Sequence, residues 1–159
     1  MAEKRIKDVF KKFLIGDTLK NALDFAEFLR ANELVYDGEH EIHYKDKLAC
    51  YIDPPNEIEH RWRVWTVGDY SREYEGFPID ERMKEIAWAN VVKCGYCNGV
   101  DCAPGKAELI FGKEFANVCN GADSLAMRFA NPDAEALECL KRLVEMRKQT
   151  LQRRTVHDH

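Results

Sequence analysis

Apolar residues recur every three or four positions along the first thirty residues of the chain. Between residues 3 and 15 they are separated by lysines and comprise Ile6, Val9, Phe10, Phe13 and Leu14. This spacing is typical of an amphipathic helix. Gly16 is expected to end that helix, and Asp17 or Thr18 to cap a second one. The pattern therefore predicts two N-terminal helices over residues 3–31.

From about residue 34 the period changes to two, which indicates strands. His40, Ile42 and Tyr44 alternate with polar residues, and the alternation resumes after a polar turn at 45–47. This is the pattern of a β-hairpin that ends at Pro54. A third strand is predicted at 61–68. Its opposite faces would carry Trp62 and Trp65, so it suits a central strand or one whose second face lines a pocket.

The later elements are marked mainly by their termini. A helix capped by Asp80 is predicted to run directly into Cys94, and strands are predicted at 107–111 and 125–129. The last helix, over 132–151, has Asn131 as expected N-cap and Pro132 at its first position. The element order predicts an α+β fold, with a mostly antiparallel sheet packed by helices and a structural metal loop.

Composition is compatible with one domain over the 159 residues. Its expected parts are the two helices, a sheet and helix over 33–93, the metal loop and closing strands over 94–130, the last helix, and a frayed tail over 152–159. No segment approaches the roughly 20 apolar residues that span a bilayer, so we expect a cytoplasmic protein without a membrane partner. The net charge of −4 argues against strong, unspecific attraction to nucleic acid.

Four of the six cysteines lie close together in the sequence. Cys94 and Cys97 are separated by two residues, Cys102 follows after four more, and Cys119 after another sixteen. In a reducing compartment such clusters more often bind metal than form disulfides. Four thiolates suit tetrahedral Zn²⁺, with iron as the alternative ion. The spacing therefore predicts a structural metal site, since four sulfurs leave no open position for substrate.

Two other interpretations of the cysteines remain open. They could be reduced and unbound, or Cys94 and Cys97 could be the dithiol of a thiol oxidoreductase. A redox pair usually has its first cysteine at a helix N-terminus, where the dipole lowers the pKa, whereas this pair follows the end of a predicted helix. Cys50 and Cys139 occupy apolar positions and are expected to be buried free thiols.

Aromatic residues crowd the stretch from 62 to 88, and Trp65, Tyr74 and Trp88 with Glu73 form the best pocket candidate. Flat rings bury apolar ligands while a charged group fixes their orientation. The alternative is that the rings belong to the core. A hydrolase acting in this aromatic cleft, and a nucleic-acid-binding protein using the basic C-terminal residues, are further hypotheses; His40, His43 and His60 are expected to be surface residues rather than a second metal site.

Several short segments together resemble a known family. They are residues 70–78 (YSREYEGFP), 84–90 (KEIAWAN), 110–115 (IFGKEF) and 117–119 (NVC). They are similar to a family of small uncharacterised proteins of anaerobic Gram-positive bacteria with the same Cys-x2-Cys-x4-Cys-x16-Cys block. The element order is more loosely similar to gyrase-inhibitor-like small-molecule-binding domains, which implies a small apolar or amphipathic ligand. Together the patterns favour a zinc-stabilised small-molecule-binding or accessory module over an enzyme.

Overall fold

Helices and strands follow one another in blocks along the chain. The computed structural model describes residues 2–67, 72–93, 105–118 and 125–157. The helices in these ranges are α1 (Ala2–Phe13), α2 (Gly16–Ala31), α3 (Arg72–Glu75), α4 (Glu81–Ala89) and α5 (Ala134–His157). The strands are β1 (Leu34–Tyr36), β2 (Glu41–Tyr44), β3 (Lys47–Asp53), β4 (Arg63–Val67), β5 (Lys106–Ile110), β6 (Lys113–Val118) and β7 (Leu125–Ala130). All pair antiparallel, so the predicted α+β class with antiparallel sheet and packed helices is confirmed for these residues.

The strands form a five-stranded sheet, in the order β1-β2-β3-β4-β7, and a separate hairpin, β5-β6. A short extended segment after α4 links the two. In it, Val91 pairs with Met127 of β7, and Lys93 pairs with Val118 of β6. The hairpin is therefore attached to the edge of the main sheet through residues 91–93.

One face of the main sheet packs against helices, and the other is partly open. Ile52, Val64 and Phe129 lie side by side in neighbouring strands and are at most 1% exposed. On the opposite face Tyr51, Trp65 and Arg128 form a row across β3, β4 and β7. Successive side chains of a strand point to opposite faces, so the predicted separation of Trp62 and Trp65 is confirmed.

Trp62 is the central residue of the core. It is fully buried, and its ring centroid lies 5.5 Å from that of Phe10 and 5.4 Å from that of Phe25. Its backbone N–H donates to Oδ1 of Asn131 at 2.9 Å, and the Asn131 N–H donates to the Trp62 carbonyl at 2.8 Å. The start of β4 and the end of β7 are thus joined at the same place where α1 and α2 pack.

Asn131 therefore does not cap α5, contrary to the sequence prediction. The cap belongs to Asp133, whose side chain accepts from the Ala136 N–H at 2.8 Å. Asn131 instead has a positive φ of 42°, which asparagine tolerates better than most residues. Its amide oxygen bonds Trp62, so a tertiary contact takes the group that local capping rules would have used.

Other helix ends also differ from the predictions. The N-cap of α2 is Ile15, without a side-chain hydrogen bond, rather than Asp17 or Thr18. Helix α4 ends at Ala89, so an extended segment and not a helix leads into Cys94. Asp80 caps α4 as predicted, by accepting from the Met83 N–H at 2.8 Å.

Helix α5 continues to His157, through the part of the chain predicted to fray from residue 152. Glutamine and arginine are good helix formers, so these residues extend the helix without an apolar stripe. None of the helices in the described ranges combines the length and the apolar character that crossing a bilayer requires.

The β5-β6 hairpin was only half predicted, because β6 was missed. Phe111 and Gly112 connect its strands with φ values of 49° and 86°. Two positive φ values are the signature of a type I′ turn, which suits tight hairpins and requires glycine or a similar residue. Gly112 between two runs of strand-forming residues is the sequence signal that could have revealed β6.

Replacement of Trp62 by alanine should cost about 3–5 kcal/mol of unfolding free energy, because it removes the largest buried side chain and leaves a cavity. Urea denaturation followed by circular dichroism measures this. The matched control is Ile58→Ala, since Ile58 is 90% exposed, and it should change stability by less than about 0.5 kcal/mol. Equal effects of the two substitutions would contradict the central position of Trp62.

Candidate functional site

The four clustered cysteines, Cys94, Cys97, Cys102 and Cys119, lie outside the described residues. The residues that border them are described. Lys93, which precedes Cys94, pairs with Val118, which precedes Cys119. Val118 also pairs with Lys106 on its other side. Paired residues in antiparallel strands have Cα atoms about 4.5–5.5 Å apart, so the ends of the cysteine-bearing segments adjoin one another.

The other two cysteines behave as predicted. Cys50 and Cys139 are both buried and free. Burial raises the pKa of the Cys50 thiol to about 12. Burial, followed by the nearby Asp80 carboxylate, raises that of Cys139 to about 12, and the Cys139 thiol donates to the Met83 carbonyl at 3.4 Å. Both thiols therefore stay protonated near neutral pH.

The histidines do not form a metal cluster in the part of the chain that the structure describes, where no three His, Cys, Asp or Glu side chains converge on a common point. His43 Nε2 lies 2.8 Å from Glu41 Oε1, and His60 Nδ1 lies 3.1 Å from the Phe13 carbonyl oxygen. These two contacts are local or between loops.

The aromatic residues predicted to share a pocket are divided between two places. Tyr74 and Trp88 both pack on the β5-β6 hairpin, at Phe111 and Ile110 respectively. Trp65 lies instead on the open face of the main sheet, where the Arg63 guanidinium sits 5.4 Å from its ring centroid. Glu73 falls within α3, and its side chain is outside the described set. The structure thus brings together two of the four predicted residues.

Trp88 fixes the hairpin to α4. Its indole N–H donates to the Ile110 carbonyl at 2.7 Å, and the Lys113 ammonium lies 5.3 Å from its ring centroid. Ile110 is fully buried, so the carbonyl at the end of β5 obtains a donor where water has little access. Trp88 is thus a positioning residue for the hairpin turn.

A cleft of about 410 Å³ lies between that turn and residues 74–84. Its rings come from Tyr74, Phe77 and Phe111, and Leu109 and Ile79 add aliphatic surface. Tyr74 and Phe111 meet edge to face, with centroids 5.2 Å apart and an interplanar angle of 70°. This volume falls within the range of small-molecule sites. We call this the aromatic cleft.

Two charged residues, Glu75 and Lys84, border the aromatic cleft. The Lys84 ammonium is 3.0 Å from Glu81 Oε1, and its side chain is 29% exposed. On the far side of Phe77, the Arg142 guanidinium stacks 4.6 Å from the ring centroid and donates to the Pro78 carbonyl at 2.8 Å. The cleft therefore combines an apolar floor with a cation at its border, and its ring positions are held by neighbouring polar contacts.

Sequence reasoning missed the contribution of the hairpin to this cleft. Leu109 and Phe111 lie far from Tyr74 along the chain, and no periodicity links them. The short segment Phe111-Gly112 was available as a turn signal, but which helix the turn contacts depends on tertiary packing.

Comparisons with protein families, curated proteins and solved structures find no match to this chain. The family resemblance therefore remains a prediction, and the geometry alone supports the proposals that follow.

Trp88→Phe should destabilise the hairpin selectively, because the Ile110 carbonyl loses its donor while most of the apolar contact is kept. The expected cost is about 1–3 kcal/mol, the range for a buried group left without its partner. Hydrogen exchange of the β5 and β6 amides measures it, with the β2-β3 amides as an internal control. Uniform exchange changes across both sheets would contradict a local role.

Proposed function

We propose that this protein is a zinc-stabilised module that binds a small amphipathic molecule in the aromatic cleft. One observation carries the proposal: the same hairpin serves both features. At its turn, Leu109 and Phe111 form a wall of the cleft. At its open end, Lys106 and Val118 border the cysteine-bearing segments. A metal held at the open end would fix the wall that contacts the ligand.

The proposed metal ligands are Cys94, Cys97, Cys102 and Cys119. The adjoining positions of Lys93, Val118 and Lys106 support this, because one ion requires sulfurs from all three chain segments within about 2.3 Å of it. The two lysines also supply positive charge near a site that four thiolates would make negative. Zinc in such a closed site would contribute folding energy rather than chemistry.

The proposed ligand is small, apolar over most of its surface, and negatively charged at one end. The rings of Tyr74, Phe77 and Phe111 support the apolar part, since flat side chains bury apolar ligands at low entropic cost. Lys84 supports the anionic end, because its ammonium lies at the border of the cleft. Binding without catalysis fits this arrangement best.

Cys119→Ser should lower the zinc content and the melting temperature together. Loss of one thiolate weakens a four-sulfur site, and the free energy of metal binding is part of the free energy of folding. The measurements are metal analysis of protein purified without chelator and a thermal scan. Cys139→Ala is the matched control: it removes a buried thiol outside the block, so it should lower stability while zinc content stays unchanged. Full zinc occupancy in the Cys119→Ser protein would refute the assignment.

A thiol titration at pH 8 gives an independent measure of the same site. Zinc thiolates should react slowly until a chelator is added, after which four thiols should become reactive. Cys50 and Cys139 should react only on unfolding, because their pKa values of about 12 keep them protonated. A fast-reacting thiol in the untreated protein would instead favour the thiol oxidoreductase.

An amphipathic fluorophore, anilinonaphthalene sulfonate, should bind the folded protein in a saturable one-to-one manner. Leu109→Gln should weaken binding about tenfold, since a buried leucine contact is worth about 1.5–3 kcal/mol. Lys84→Gln should weaken it about two- to fivefold, as expected for a partly exposed charge.

The control for this binding experiment is Val35→Gln, which replaces a 49% exposed apolar residue remote from the cleft by the same amide. Its affinity for the fluorophore should equal that of the unsubstituted protein. Equal binding by all the variants would place the fluorophore elsewhere and overturn the cleft as the ligand site. Near-ultraviolet circular dichroism verifies that each variant keeps its packing.

A further inference from the structure

A second cavity, of about 390 Å³, opens between β7 and the extended segment that follows α4. Its described lining includes Asn90, Val92, Lys93, Arg128 and Ala130. None of these residues lines the aromatic cleft. The cavity is therefore a separate place on the molecule, and an inference about it does not rest on the function proposed above.

Backbone pairing fixes the two walls of this cavity relative to each other. The Arg128 N–H donates to the Asn90 carbonyl at 2.9 Å, and the neighbouring residues Val91 and Met127 form a bridge. Met127 is fully buried, so Arg128, the next residue of the strand, points to the opposite face. The guanidinium is thus presented on the open face by a rigid strand, which lowers the entropic cost of binding a ligand.

The charges around the cavity have one sign. Its described lining contains the cations Arg128 and Lys93 and neither an aspartate nor a glutamate. Carboxylates do occur across Ala89 and Asn90, in a neighbouring depression, but Glu85 and Glu135 both pair with Arg82 there, at 3.3 and 2.7 Å. An anion in the cavity would therefore meet two cations, and those two nearby carboxylates already have a cationic partner.

The size and the surroundings indicate more than an inorganic ion. A cavity of this volume falls within the range that holds small organic ligands. Trp65 lies directly across from Arg128 in the register of β4 and β7, and facing side chains on neighbouring strands have Cβ atoms about 4.5–5.5 Å apart. A planar group attached to an anion at Arg128 would reach the Trp65 ring, on which it could stack.

We infer that the cavity between residues 89–93 and β7 is a binding site for a small organic phosphate, with Arg128 and Lys93 holding the phosphate and Trp65 contacting a planar ring attached to it. Arg128 can pair with two phosphate oxygens at once, which makes it better suited than lysine to fix the orientation of the group.

Phenyl phosphate is the probe, used with protein purified without chelator. Calorimetric titration should show saturable binding, and inorganic phosphate should bind more weakly because it lacks the ring. Arg128→Gln should weaken phenyl phosphate binding at least about tenfold, as expected for loss of a charge-assisted hydrogen bond. Lys20→Gln, at an exposed lysine on α2, is the control and should leave the affinity within about twofold.

Two further variants keep the inference testable if Arg128→Gln perturbs the fold. Ala130→Glu places a carboxylate at an exposed position of the lining and should abolish binding. Trp65→Leu should weaken phenyl phosphate and leave inorganic phosphate unchanged. Amide chemical shifts should move at residues 89–93 and 128–130. Absence of saturable binding, unchanged affinity in Ala130→Glu or Trp65→Leu, or shifts confined to residues 74–84 and 109–112 would each overturn the inference.

Discussion

The reciprocal hydrogen bonds between Trp62 and Asn131 are the contact on which the described fold most depends. They join the start of β4 to the end of β7, next to one another in the sheet, and they set where α5 begins. The Trp62 indole meanwhile fills the space between Phe10 and Phe25. A single residue therefore positions the sheet relative to the N-terminal helices, and the positive φ of Asn131 is the local strain accepted for it.

The hairpin formed by β5 and β6 depends on that sheet only indirectly. It reaches the main sheet through the short bridges of residues 91–93 and reaches α4 through the Trp88 hydrogen bond. Few contacts of this kind usually give low local stability. A metal at the open end of the hairpin would add a constraint where the described contacts are sparse, which is the physical reason to expect a structural rather than a catalytic ion there.

Sequence periodicity predicted the elements whose burial is regular, namely α1, α2, α4, β2, β3, β4, β5 and β7. It failed for β6, because only Val118 of that strand is buried and no alternation is visible. It also failed for the cap of α5, because Asn131 is used by Trp62, 69 residues away. The candidate site was predicted in part for the same reason: Tyr74 and Trp88 lie in the aromatic-rich stretch, whereas Phe111 joins them only through folding.

Residues 90–93 connect all the features argued to matter. They end α4 just after Trp88, which holds the cleft wall; they line the phosphate cavity; and they lead into Cys94. A change in this segment must therefore alter both cavities, and binding in either cavity must favour the same segment geometry. Such coupling is reciprocal by thermodynamic necessity. A metal that ordered the segment would then raise the affinity of both sites without contacting either ligand, since it would remove the cost of ordering their shared wall.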